Sequence, residues 1–268
     1  MKTLNNYINE RLVLSKNKSK IKRTLIPKTT AELQSIIVDE IKNNGPECSL
    51  NHIDTGHITD MSNLFCGKDK YIVSGGLDET SNILKSFDGD ISDWDVSNVT
   101  NMSSMFHNSN FTGENSDISG WDVSNVTDMP YMFYGTNFNG DISTWNVSKV
   151  EDMQDMFLGS EFNGDISNWN VSNVEIMAYM FARSKFNGDI SNWDVSNCQH
   201  MENMFNFAEF NGDISKWNVS KVKSFRAMFI GSKFNQNIDN WKPKKAALRK
   251  GIFDGSPLEN NPPIWYKQ

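Results

Sequence analysis

Phe162 to Phe181 reads FNGDISNWNVSNVEIMAYMF, and 24 residues further on Phe186 to Phe205 reads FNGDISNWDVSNCQHMENMF. The pattern recurs along most of the chain. Trp121, Trp145, Trp169, Trp193, Trp217 and Trp241 are each 24 residues apart, and Trp94 precedes them by 27. The three extra residues fall in FTGENSDIS (111–119), where other units read FNGDIS. Phe106, Phe133, Phe157, Phe181, Phe205, Phe229 and Phe253 keep the same count, and Trp265 continues the tryptophan column. A fixed period of this length marks a stacked-repeat architecture, in which each unit covers its neighbour's core.

Within one unit, Val174, Met177, Met180 and Phe181 are spaced i, i+3, i+6, i+7, which predicts one face of a short helical turn. Trp169 and Val171 alternate with polar residues and predict a short strand. Gly164 marks a turn, and Ser172-Asn173 caps the helical turn. Repetition also creates polar columns. Asn139, Asn163, Asn187 and Asn211 predict an amide ladder serving backbone groups of adjacent coils. Asp141, Asp165, Asp189 and Asp213 form a second column, whose stacked charges require backbone N–H partners, solvent or cations.

Charge divides the chain. Residues 1–50 carry nine Lys/Arg against five Asp/Glu, residues 51–241 carry 11 against 26, and residues 242–268 carry six against two. The acidic middle repels phosphate backbones and argues against nucleic acid. No apolar run reaches the length of a membrane span. Cys48, Cys66 and Cys198 show no paired spacing, and with the four histidines they form no metal-ligand pattern. No nucleophile motif or phosphate-binding glycine loop is present, so the chain is read as non-enzymatic, with no cofactor. KTTAELQSIIVDEIKNNG (28–45) is an amphipathic helix with Thr29 and Glu32 as a capping box and Gly45 as its stop. KKAALRKGIF (244–253) reads as a basic helical turn, and Pro262-Pro263 as a barrier to a further coil.

The unit DISNWDVSNVxxMxxMFxxSxFNG resembles the BspA-like leucine-rich-repeat surface proteins of bacteria, in the subfamily with Met-Phe and Trp-Asp-Val signatures, over roughly residues 49–253. The resemblance implies a leucine-rich-repeat-like solenoid with interaction roles and no catalytic residues. The expected fold is a right-handed solenoid of about eight 24-residue coils, each a short strand plus helical turn. Its expected parts are a basic arm (1–23), a capping helix (24–48), the repeats (49–241, with an insertion at 66–86) and a degenerate C-terminal cap (242–268). MKTLNNYINE, with Ile8-Asn9-Glu10, is similar to peptides that direct internal proteins into the heads of some tailed phages, and Ile8 and Glu10 match their processing sites.

If the framework is constant, specificity lies in what varies. Between the two Met positions stand Ser104, Tyr131, Asp155, Tyr179, Asn203 and Ala227. After the Phe come His107, Tyr134, Leu158, Ala182, Asn206 and Ile230. Tyr131, Tyr134, Tyr179, Arg183, Leu158 and Glu161 are the candidate contact residues, the tyrosines because they offer large area with few rotors. The expected function is an interaction module presenting an extended acidic surface to a protein or glycan. The alternative is a virion-associated phage protein recruited through its N-terminal arm. No signal-peptide core is read near Lys2, so bacterial cytoplasm or a phage particle is expected rather than classical surface display.

Overall fold

The computed structural model describes residues 23–67 and 79–267. Ile8 and Glu10 lie outside them. Among the described residues there are two α-helices, α1 (Thr30–Asn44) and α2 (Glu79–Lys85), and one 3-10 turn, Ile264–Tyr266. The expected strand-plus-helix solenoid of the leucine-rich-repeat kind is not what forms. The coils have neither strands nor helical turns, and they are joined by isolated parallel bridges. These run Asp60, Asn101, Asp128, Asp152, Ile176, His200, Ser224 and Leu248, each to the next.

The reason lies in where alternate peptides send their hydrogen bonds. Within one coil, Trp169 N–H donates to the Ile166 carbonyl, Val174 to Val171, Met180 to Met177, Ala182 to Tyr179 and Ser184 to Phe181, at 3.0–3.3 Å. Each bond closes a four-residue turn. The intervening N–H groups of Met177, Tyr179, Phe181 and Arg183 donate to His200, Glu202, Met204 and Asn206 of the next coil, at 2.8–3.0 Å. A helix is blocked because two residues per coil sit in the left-handed region, for example Tyr179 at φ 57° and Arg183 at φ 55°. A strand is blocked because half the backbone groups are spent inside the coil. Turns that close every three residues bring Val174, Met177 and Met180 to the inside just as a helix would.

The core is a set of aromatic columns. Phe157, Phe181 and Phe205 stack at 5.7 and 5.9 Å, and Phe162, Phe186 and Phe210 form a second column at 6.3 and 6.2 Å. The columns interleave, with Phe181 4.2 Å from Phe186. Gly188 is required here, because a Cβ on it would lie 2.8 Å from Cε2 of the buried Phe186 ring. Tryptophan recurs for a polar reason as well as an apolar one: Trp193 Nε1–H donates to the Ile166 carbonyl at 3.1 Å, and Trp169 to Ile142 at 3.1 Å. That bond satisfies a donor that burial would otherwise orphan.

The ends differ in kind. The Thr29 hydroxyl accepts Glu32 N–H at 3.2 Å, while the Glu32 carboxylate accepts Lys28 N–H at 2.7 Å, one residue before the position a capping box uses. Gly45, at φ 88°, closes α1 by donating to the Ile41 carbonyl. Leu33, Ile37 and Ile41 are buried, and the Thr30 hydroxyl donates to the Asp60 carbonyl of the first coil at 2.6 Å. At the other end, residues 244–253 form turns rather than a helical turn. Pro263 does not stop the stack. It precedes the 3-10 turn that delivers Trp265 into register, 6.0 Å from Trp241, with Nε1–H on the Ile238 carbonyl at 2.8 Å.

Candidate interaction face

Met177 and Met180 are fully buried, so the residues around them, Ile176, Tyr179 and Arg183, face outward. Equivalent positions in every coil line up into one face, and this is where the coils differ most. The left-handed position repeats as Asn63, Ser104, Tyr131, Asp155, Tyr179, Asn203 and Ala227. Asn occupies it comfortably, whereas tyrosine there is uncommon and costs about 1–2 kcal/mol.

Tyr131 and Tyr134 are brought together, each half-buried, with ring centroids 6.2 Å apart. His107 joins them at 6.0 and 4.4 Å. Beneath Tyr131 lies a polar network. Gln154 Nε2–H donates to the Tyr131 hydroxyl at 2.7 Å, and both groups hydrogen-bond Asp155. Burial raises the Asp155 carboxyl above its ordinary value despite those bonds, and Asp152 adds to the rise. Asp152 is itself raised by burial, with the Asp128 charge contributing. Burial likewise raises the Tyr131 phenol.

Tyr179 stands apart from that pair, 39% exposed, on a cleft of about 400 Å³ that spans four coils. Gln154, Ile176, Ala178, His200, Glu202, Asn203 and Arg226 complete its walls. His200 Nδ1 is 3.1 Å from Glu202 Oε1. Arg183 is exposed, its guanidinium 5.9 Å above the ring of Phe207, which is 57% exposed. Leu158 is half-buried on the same face. Glu161 is not gathered with the others: its N–H donates to the Thr136 carbonyl on the turn leading to Asn163.

His200, Glu202 and Arg226 escape a reading based on the residues between the methionines and after the phenylalanine. They occupy the bridge position and the position two residues later, which also vary from coil to coil. Varying residues just before and just after the first methionine are the signal that would have found them.

The two polar columns lie elsewhere and serve the framework. Asn139 Oδ1 accepts Asn163 N–H at 2.9 Å, Asn163 accepts Asn187 N–H at 2.8 Å, and Asn187 accepts Asn211 N–H at 2.8 Å. Asp141, Asp165, Asp189 and Asp213 each accept the N–H of the serine two residues on, at 2.8–2.9 Å. Those serine N–H bonds, with help from the hydroxyls, hold Asp165, Asp189 and Asp213 below the ordinary carboxyl range. Among the described residues no group of three His, Cys, Asp or Glu is placed to hold a metal ion. No helix among them is long and apolar enough to cross a membrane.

A family model described as "Mycoplasma protein of unknown function, DUF285" matches residues 37–159, 75–185, 108–209 and 159–265 in overlapping registers. Each match covers more than 100 residues, so the family model spans several coils at once. No curated protein and no solved structure matches the chain.

Proposed function

Because the chain belongs to the DUF285 family, whose matches cover the coils from residue 37 to 265, we propose that it is a non-enzymatic interaction module whose variable face engages a protein or glycan. One observation carries the reading. The backbone demands a left-handed residue in every coil, but it does not demand Tyr131 or Tyr179 there, and Asn63 and Asn203 show a less strained choice. Strain kept in place by the surrounding structure concentrates at working sites. The resemblance of the repeat to BspA-like surface proteins supports the same role.

Multipoint contact over a rigid array fits this geometry, since a stack held by bonds between every pair of coils changes little on binding. Immobilised protein with Tyr131→Ala and Tyr179→Ala together is expected to lose captured partners that the native chain and an Asn168→Ala/Asn192→Ala control retain. Equal capture by all three, with melting temperatures matched, would remove the face from consideration.

A further inference from the structure

We propose that the cleft beside Tyr179 binds a neutral polyhydroxylated ring, a pyranose unit of a glycan. The inference rests on the interaction reading above and names the chemistry of one subsite. The volume, about 400 Å³, falls in the range of small-ligand sites. One wall is the exposed Tyr179 ring, with Ile176 and Ala178 beside it, an apolar platform for the C–H face of a sugar.

The polar groups match hydroxyls better than they match an ion. Glu202 and Arg226 are both in the lining, so a free cation would face the guanidinium and a free anion the carboxylate. A hydroxyl both donates and accepts, and can use each in turn. Arg226 offers N–H donors. Asn203 Oδ1 is occupied by Asn206 Nδ2–H at 3.3 Å, which leaves the Asn203 amide hydrogens as donors. Glu202 Oε1 is engaged with His200, while Oε2 is out of solvent and has no hydrogen-bond partner among the described residues. Rotation of that carboxylate toward the mouth of the cleft lets a sugar hydroxyl supply the bond it lacks.

The test is titration of the full chain with maltotriose, lactose and chitotriose, followed by saturation-transfer NMR and calorimetry, with glycine as a zwitterionic control. At least one saccharide is expected to bind, and Arg226→Ala and Tyr179→Asn are each expected to weaken it tenfold or more. Tyr179→Asn keeps a residue suited to the left-handed backbone, as Asn203 does in the next coil, so it separates loss of the ring from loss of the fold. Asn168→Ala, outside the cleft lining, is expected to leave saccharide affinity unchanged. Failure of all three saccharides, binding indifferent to Tyr179→Asn, or glycine binding that depends on Glu202 and Arg226 would each overturn the proposal. If saccharides fail while partner capture still depends on Tyr131 and Tyr179, the interaction module stands with a protein partner.

Discussion

Replacing Gly188 by alanine tests the packing of the aromatic columns. The new Cβ would lie 2.8 Å from Phe186 Cε2 and 3.0 Å from Cζ. The ring cannot retreat, since Phe181 is 4.2 Å away on one side and Phe162 and Phe210 flank it at 6.3 and 6.2 Å. Overpacking of a fixed core costs about 1–3 kcal/mol. Alanine also restricts the unfolded chain, which returns about 0.4–1 kcal/mol. The net expectation is a loss centred on about 1.3 kcal/mol, within a span of roughly 0–2.6, read by urea denaturation or as a melting temperature lowered by roughly 2–4 °C per kcal/mol. Gly120→Ala is the control. No atom lies within 4 Å of its Cβ position, its φ is not left-handed, and other coils carry Thr144 or Asn168 there. Gly120→Ala is expected to be neutral or slightly stabilising. A Phe186→Leu change, which vacates the space, should recover part of the Gly188→Ala loss in a double-mutant cycle. Equal stability of the two glycine variants would refute the steric account.

Two further outcomes follow from buried ionisable groups. The raised Asp155 carboxyl means that the folded chain holds this proton more tightly than the unfolded one, so stability attributable to it is lost as pH rises through its folded value. Asp155→Asn, an amide that suits the left-handed backbone there, should be more stable than the native chain at neutral pH, with the gap closing on acidification below the unfolded carboxyl value. A gap independent of pH would contradict this. Burial pushes the Cys198 thiol up to about 12, so iodoacetamide should label it only as fast as the chain opens, while half-buried Cys48 reacts sooner. Rapid labelling of Cys198 in native buffer would show a looser core.

Much of this was legible in the residues. The tryptophan and phenylalanine counts register the coils, and the Asn163-to-Asn187 spacing anticipates the ladder. The local conformation was not legible, for a physical reason. Apolar residues at i, i+3 and i+6 fit successive turns as well as a helix, and only the left-handed φ at Tyr179 and Arg183, invisible in their side chains, separates the two. Pro262-Pro263 misled because proline ends helices but is at home before a 3-10 turn. The cleft was hidden because Gln154, Tyr179, His200 and Arg226 come from four separate coils and from three different positions within the unit. Tyr131 and Tyr134, three residues apart, were easier to pair.

The asparagine ladder also bears on how the protein ages. Asn139, Asn163, Asn187 and Asn211 are each followed by glycine, the neighbour least able to shield an asparagine from cyclisation and deamidation. In the native stack each of these side chains is tethered by the backbone N–H of the next coil, at 2.8–2.9 Å. A tethered amide has surrendered the rotation that ring closure needs. The folded stack therefore protects its own weakest covalent links, and negative charge accumulating at these four positions records time spent unfolded.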